Sequence, residues 1–182
     1  EKIEMNKFKL LLTAGLLAFA GTVSAAQIEG GIRFGGGVDA FDTTLNTVTI
    51  SGDTASVVFN GVTGSFVDEG ITAGDTATYN SFSYNPITGA NPLWSIVDAN
   101  GKSFDFELKS VTFIDESNPG FLDLLGFGTV THDNYGDTLF KWSMSIDSVL
   151  GTIAFSSTNV AVPEPGIILL LATGLIGFGV TR

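Results

Sequence analysis

Two carboxylates at alternate positions have the spacing in this chain that most resembles a catalytic pair. Asp105 and Glu107 lie between Ser103 and Lys109, and in a strand they would point to the same side, roughly 7 Å apart. Glycosidases use carboxyl groups at a comparable separation as acid and base or as nucleophile. The same face would also carry Ser103 and Lys109, which is typical of a solvated outer face. We therefore predict no catalytic residue here.

The single histidine of the chain, His132, begins a short polar run that contains Asp133 and Asp137. A histidine beside carboxylates is able to act in acid–base chemistry or to bind a metal, but no Gly-x-Ser-x-Gly motif accompanies it. The run resembles a calcium loop, yet Tyr135 takes a ligand position and Gly136 comes too early. Because a hairpin turn explains the run more simply, we predict no metal ligand and no cofactor. A weak surface Ca²⁺ site among the loop acids is the alternative.

Two aromatic residues are candidates for contact with a sugar. Trp94 follows the loop from Pro86 to Pro92 and is expected at the rim of the domain, and Tyr135 lies in the turn described above. Exposed aromatic rings stack on sugar rings in many carbohydrate-binding modules, because such rings combine an apolar face with a defined geometry. Trp142, in contrast, alternates with polar neighbours and shares its side with apolar ones, so it is predicted to be core.

Composition narrows the classes of function. Residues 26–162 contain sixteen acidic and four basic side chains, a net charge of about −12. Such a charge repels nucleic acid and anionic polymers unless divalent cations bridge the two, so nucleic-acid binding is excluded. The chain has no cysteine, so thiol chemistry and disulfides are excluded as well. A core formed by about 135 residues must then hold the domain together.

The elements that must position these residues are strands. Apolar and polar residues alternate with a period of two in several segments, and turn-forming Gly, Asn and Asp recur between them. The clearest segments are 55–59, 82–84, 140–146 and 153–155. About ten short strands of this kind predict an all-β fold, a single β-sandwich for which a jelly roll is one arrangement.

One strand carries a change of phase. Apolar residues occupy every second position up to Leu108, and the apolar phase then resumes one residue late at Val111 and Phe113. A slip of one residue predicts a β-bulge near Lys109 and Ser110, or a strand that passes from one sheet to the other.

The N-terminal segment is typical of a Sec signal peptide. A basic region that ends at Lys9 precedes an apolar region and an A-x-A-like site, so cleavage is expected between Ala25 and Ala26. An apolar region of about eleven residues is too short for a permanent membrane anchor. We assign residues 1–25 to a signal helix read by the Sec translocon, with Met5 as the expected start.

A second apolar segment lies near the other terminus. Pro163 and Pro165 flank Glu164, and they favour extended backbone because proline lacks an amide hydrogen and restricts the residue before it. The apolar run that follows is succeeded by Arg182. Counted from the first proline, the segment approaches the roughly 20 residues that cross a bilayer. We therefore expect residues 162–182 to form a transmembrane helix.

This tail resembles the PEP-CTERM sorting signal of Gram-negative bacteria. The similarity rests on the Pro163-Glu164-Pro165 triplet, on the apolar run and on Arg182. The resemblance implies that an exosortase, a membrane enzyme, recognises and removes the tail. It also implies that the passenger domain, residues 26–161, is held transiently in the inner membrane and then delivered outside the cell.

The passenger also resembles a recurrent class of PEP-CTERM passengers of unknown function. The similarity lies in the order of short motifs, such as Phe59-Asn60-Gly61, Pro92-Leu93-Trp94 and Phe155-Ser156. It implies no activity. We expect a non-enzymatic component of the cell surface or extracellular matrix, made beside an exopolysaccharide. A secreted carbohydrate-binding module is the alternative, and a glycan hydrolase is the third interpretation.

Overall fold

The computed structural model describes residues 25–50 and 54–160, and most of these residues lie in strands. The strands are β1 (Gly31–Gly37), β2 (Ala40–Asp42), β3 (Thr47–Thr49), β4 (Thr54–Val62), β5 (Thr76–Tyr79), β6 (Phe82–Tyr84), β7 (Ile87–Thr88), β8 (Trp94–Val97), β9 (Ser103–Asp115), β10 (Phe121–Thr131), β11 (Thr138–Asp147) and β12 (Thr152–Asn159). A short helix, α1 (Ser65–Asp68), follows β4. Eight strands form a closed barrel in the order β1-β12-β11-β10-β9-β8-β5-β4, and a second sheet has the order β2-β3-β6-β7.

The predicted all-β class is confirmed, but the predicted sandwich is not the observed arrangement. Strand β1 pairs with β12 along its whole length and with β4 on its other side, so the larger sheet closes on itself. Alternation along the sequence did not distinguish the two folds, because strands of barrels and of sandwiches alike bury every second side chain. Closure also pairs the strands that would otherwise form exposed edges.

The two helices that were expected at the termini lie outside the described residues, in segments 1–24 and 161–182. Within the described ranges, no helix is long and apolar enough to cross a membrane. The signal peptide and the transmembrane helix therefore stay predictions from sequence.

Aromatic rings fill the interior of the barrel. The indole of Trp94 lies parallel to the ring of Phe106, with 5.5 Å between centroids, and Phe155 meets both rings edge-on. Phe34 lies 5.1 Å from Trp94 and 5.7 Å from Tyr79. Each of these side chains is at most 3% exposed. The barrel is therefore a packed core, as expected for eight strands filled by large side chains.

Two glycines of β10 make room for these rings. Gly126 and Gly128 lie on the buried side of the strand. A Cβ atom at Gly128 would overlap the Phe106 ring, and one at Gly126 would overlap the backbone carbonyl of Ser110 and lie 2.9 Å from Nε1 of Trp142. A side chain is therefore excluded at Gly128 chiefly by an aromatic ring and at Gly126 chiefly by the backbone of β9.

The predicted bulge in β9 is confirmed, and the strand stays within one sheet. The register between β9 and β10 shifts at Lys109, which has no partner position in β10, and it shifts again at Thr112. Two shifts of one residue restore the original phase. Phe113 is therefore 48% exposed, whereas a single shift would have turned it inward.

The second sheet packs against β9. The hydroxyl of Tyr84 donates a hydrogen bond to Oε1 of Glu116 at 2.6 Å. The N–H of Leu108 donates to the carbonyl of Ala90 at 3.2 Å. The other end of the barrel is formed by α1 and by the β8–β9 and β10–β11 turns. These three connections carry most of the polar residues that form a candidate site.

Candidate functional site

Polar side chains from three connections meet at one end of the barrel. They follow α1 or lie in the β8–β9 and β10–β11 turns. We call this group the barrel-end cluster: Glu69, Asp98, Asn100, Lys102, His132, Asn134 and Tyr135. Of these residues, only His132 and Tyr135 were singled out by the sequence.

Asp98 organises the β8–β9 turn. Its Oδ1 accepts hydrogen bonds from the backbone N–H groups of Asn100 and Lys102, at 2.8 and 2.7 Å. Aspartate favours turns because its side chain is able to accept from backbone donors a few residues on. Desolvation raises the pKa of the Asp98 carboxyl, but the N–H groups of Lys102 and Asn100 and the ring of His132 outweigh it and lower the pKa below its ordinary value.

His132 lies immediately after β10, before a turn, as the sequence predicted. Its Nε2 is 3.3 Å from Oδ2 of Asp98, and its Nδ1 accepts the N–H of Asn134 at 3.2 Å. Since Nδ1 accepts, the ring proton of the neutral imidazole belongs on Nε2, where it is donated to Asp98. The ring also stacks on Phe104, with 4.0 Å between centroids. The side chains of His132 and Asp98 are both fully buried.

Glu69 and its neighbours cover this buried pair. Glu69 accepts from the amide of Asn134 at 2.9 Å and from the amide of Asn100 at 3.4 Å. Lys102 Nζ donates to Oδ1 of Asn134 at 2.5 Å. Burial raises the pKa of the Tyr135 hydroxyl, a hydrogen bond with Ser65 opposes this shift, and Glu69 adds to it. The cluster thus connects α1 to both turns.

The ligand atoms of Glu69, Asp98 and His132 lie within 4.8 Å of one another, close enough to consider a metal centre. Hydrogen bonds within the chain engage the same residues: Glu69 accepts from two side-chain amides, Oδ1 of Asp98 accepts from two backbone N–H groups, and Nδ1 of His132 accepts from one. A metal on Nε2 would place the ring proton on Nδ1, facing the N–H of Asn134. The three residues therefore form a hydrogen-bonded link between the three connections.

The carboxylate pair of β9 lies on the outer wall, where the alternation predicted it. Asp105 accepts a hydrogen bond from the hydroxyl of Ser103 at 2.8 Å, and Glu107 forms an ion pair with Lys109 at 2.5 Å. Because each carboxylate is engaged by its own neighbour on the strand, the pair has the character of a surface network. Ion pairs of this exposed kind contribute little to stability.

The two candidate sugar contacts are placed differently from the prediction. Trp94 was expected at the rim but is fully buried in the barrel interior. Tyr135 is half-buried and packs with Phe104 and His132. Trp142 is core, as predicted. Trp94 was misplaced because β8 is only four residues long and too short to show alternation.

The most exposed aromatic residue of the described chain is Phe59, at 86%. It lies in a bulge of β4 and directly precedes Asn60, which lines a groove on the outer wall that we call the β4-bulge groove. Its polar lining side chains are Arg33, Asn60, Thr63, Ser156 and Thr158. This groove is an open concave surface on the described part of the barrel, whereas the side chains of the barrel-end cluster bond to one another.

Comparison with known proteins finds a family match at the tail of the chain. Residues 161–182 match the family model of the PEP-CTERM protein-sorting motif, which confirms the resemblance noted from the sequence. The motif implies an exported protein that passes through the membrane and has an exosortase-type processing partner. Searches of curated proteins and of solved structures found no match to the chain.

Proposed function

We propose that this protein is a non-enzymatic component of the cell surface or extracellular matrix, exported through the Sec translocon and released by an exosortase-type system alongside exopolysaccharide. The observation that carries the proposal is the sorting motif at residues 161–182. The barrel, residues 26–161, is then the passenger that remains after both terminal segments are removed.

The barrel suits this role because its fold uses no disulfide and has few open strand edges. The chain has no cysteine, so an oxidising exterior adds no disulfide. The larger sheet closes on itself, and closure removes the strand edges that promote aggregation between chains. A net charge of about −12 over residues 26–162 also favours solubility.

The arrangement of acid–base residues supports a role other than catalysis. The imidazole of His132 and the carboxylate of Asp98 are fully buried and bonded to each other. The outward carboxylates Asp105 and Glu107 are engaged by Ser103 and Lys109. General acid–base catalysis needs a group within hydrogen-bond reach of the substrate, and neither pair lines the β4-bulge groove.

A carbohydrate-binding module is the second candidate, and the β4-bulge groove is the observation that favours it. The groove combines hydroxyl, amide and guanidinium groups, and the exposed aromatic residue Phe59 directly precedes its lining residue Asn60 in the chain. Ligand sites commonly join an apolar surface to a few polar groups that fix orientation. This candidate differs from a general matrix role because it requires one defined ligand site.

Sugar-release assays test the non-enzymatic proposal. The processed protein is incubated with several neutral and acidic polysaccharides, and reducing ends are measured over time. We expect no release from any of them. The proposal is contradicted by turnover in the wild-type protein that disappears in the Asp105→Asn, Glu107→Gln double variant. The hydrolase interpretation would then be correct.

A further inference from the structure

The wall of the barrel is interrupted where β4 runs beside β1. The register breaks opposite Arg33, so that residues 58–61 of β4 face a single residue of β1. Within this bulge Asn60 has a φ of 54°, in the left-handed region that asparagine adopts more readily than most residues. Bulges re-aim side chains and recur beside functional sites. This one places Phe59 outside the wall.

The bulge forms one side of the β4-bulge groove, and β12 forms the other. The groove encloses about 180 Å³, less than the roughly 300–1,000 Å³ of pockets for drug-sized ligands. Gly31 lies on its floor, where a Cβ atom would be 2.6 Å from the carbonyl oxygen of Ser157. The space therefore fits one small ring or charged group rather than a large ligand.

Several polar groups of the groove keep hydrogen-bonding capacity for a ligand. The Thr63 and Thr158 hydroxyls donate to backbone carbonyls at the start of β1 and just before it. Arg33 donates to the carbonyl of Asn60 at 3.0 Å, and this is one of the five N–H donors that a guanidinium carries. In the described part of the chain, the Asn60 amide and the Ser156 hydroxyl have no hydrogen-bond partner. The Arg33 guanidinium, the Asn60 amide and the Ser156 hydroxyl are therefore available as hydrogen-bond donors in the groove.

The groove is positively charged in an acidic protein. Among the described residues that line it, Arg33 is charged and none is acidic. Lys141 is exposed on the same outer wall, since it pairs with Thr158, which in turn pairs with Gly31. The other two cations of the passenger are already engaged, because Lys109 contacts Glu107 and Lys102 contacts Asn134. An anionic group is therefore attracted locally to Arg33.

We infer that the β4-bulge groove binds an acidic saccharide through its carboxylate. The carboxylate pairs with the guanidinium of Arg33, which suits planar carboxylates. The ring hydroxyls bond to Ser156 and to the amide of Asn60, and the apolar face of the ring packs against Phe59. The neutral hydroxyl and amide groups favour a polyhydroxylated ring over an acidic peptide. This inference rests on the carbohydrate-binding candidate proposed above and specifies its ligand.

The net charge of the passenger does not prevent this contact. Repulsion from distant acids is screened beyond about 8 Å at 0.15 M salt, whereas the contact between Arg33 and a carboxylate is direct. A short saccharide with few charges is therefore a better probe than a long acidic polymer, which would extend over the acidic surface.

The test is an NMR titration of the isotope-labelled, processed protein in 0.15 M salt. The probes are trigalacturonate, the neutral galactotriose and an acidic tripeptide. The variants are Arg33→Met, Phe59→Ala and Ser156→Ala. Lys109→Met is the matched control, because it removes the same charge from the outer wall away from the groove. Melting temperatures verify that each variant is folded, and Ser156→Ala keeps the test usable if Arg33→Met is not.

We expect trigalacturonate to shift the amide signals of Arg33, Gly61 and Ser156 and to bind more tightly than galactotriose. Arg33→Met should weaken its binding about tenfold or more, as for loss of a charge-assisted hydrogen bond, while Lys109→Met should not. If galactotriose binds equally well and Arg33→Met has no effect, the acidic ligand is wrong but the carbohydrate-binding candidate stands. If neither trisaccharide binds, both are wrong, and tighter binding of the tripeptide would also overturn the inference.

Discussion

The contact between Gly128 of β10 and Phe106 of β9 is the most sharply defined packing relation in the barrel. Phe106 is fully buried, stacks on Trp94 and meets Phe155 edge-on. A Cβ atom at Gly128 would overlap the Phe106 ring and lie 2.7 Å from the carbonyl oxygen of Glu107. Gly128→Ala should therefore destabilise the protein by about 1–3 kcal/mol, as overpacked core substitutions do.

Phe106→Ala should cost about 3–5 kcal/mol, because it removes a buried ring and leaves a cavity. The two substitutions together should cost less than the sum of the single ones. The methyl group that Gly128→Ala adds would enter space that the ring has vacated, although the contact with the carbonyl of Glu107 remains. We expect a coupling free energy of about 1 kcal/mol or more, as found for residues in direct contact.

Urea denaturation of the processed protein measures this cycle, with the four unfolding free energies obtained under identical conditions. Gly35→Ala is the matched control, because a Cβ atom there would meet only Cγ1 of Val58, at 3.4 Å. It should change stability within about 0.5 kcal/mol, as most surface substitutions do. Additive single costs for Gly128 and Phe106 would refute the proposed packing of β9 against β10.

Two further predictions concern buried groups. The pKa of Asp98 lies below its ordinary value of 3.8, so its contribution to stability is complete above that pH and is lost as the pH falls from 3.8 towards the folded-state pKa. Melting temperatures between pH 6 and pH 2 should therefore fall more steeply for wild type than for Asp98→Asn, and parallel profiles would contradict this. Because Trp94 and Trp142 are at most 1% exposed, acrylamide should quench their fluorescence only after urea is added, and efficient quenching in the native state would place one of them at the surface.

Local features of the fold were predictable because they depend on neighbours in the sequence. The slip after Leu108 predicted the bulge at Lys109, since one buried face requires a strict period of two. The second bulge, at Thr112, escaped notice because the residues around it are apolar at consecutive positions. Phe113 was therefore expected to be buried.

Closure of the barrel was not predictable in the same way. It depends on pairing between Gly31 and Thr158, which are near opposite ends of the passenger, and alternation within either strand does not specify its partner. The bond between Asp98 and His132 is similarly non-local, because it joins two turns that become neighbours only when β9 pairs with β10.

The candidate ligand site was predicted in the wrong place for a related reason. Trp94 and Tyr135 were chosen for their position near turns. Trp94 is buried in the barrel interior, and Tyr135 is half-buried in the barrel-end cluster. Phe59 lies in an alternating segment and therefore resembled an ordinary strand residue. Its exposure becomes evident only from the structure, where the register of β4 breaks opposite Arg33.

Intact-mass analysis of the secreted protein tests the central claim most directly. The chain is expressed in two otherwise identical Gram-negative hosts, one with and one without an exosortase. With the exosortase, we expect secreted protein that begins at Ala26 or Gln27 and lacks every residue after the Pro163-Glu164-Pro165 triplet. Without it, the protein should remain in the inner membrane with the tail attached. Secreted protein that retains Arg182 in the first host, or equal release from both hosts, would contradict the account.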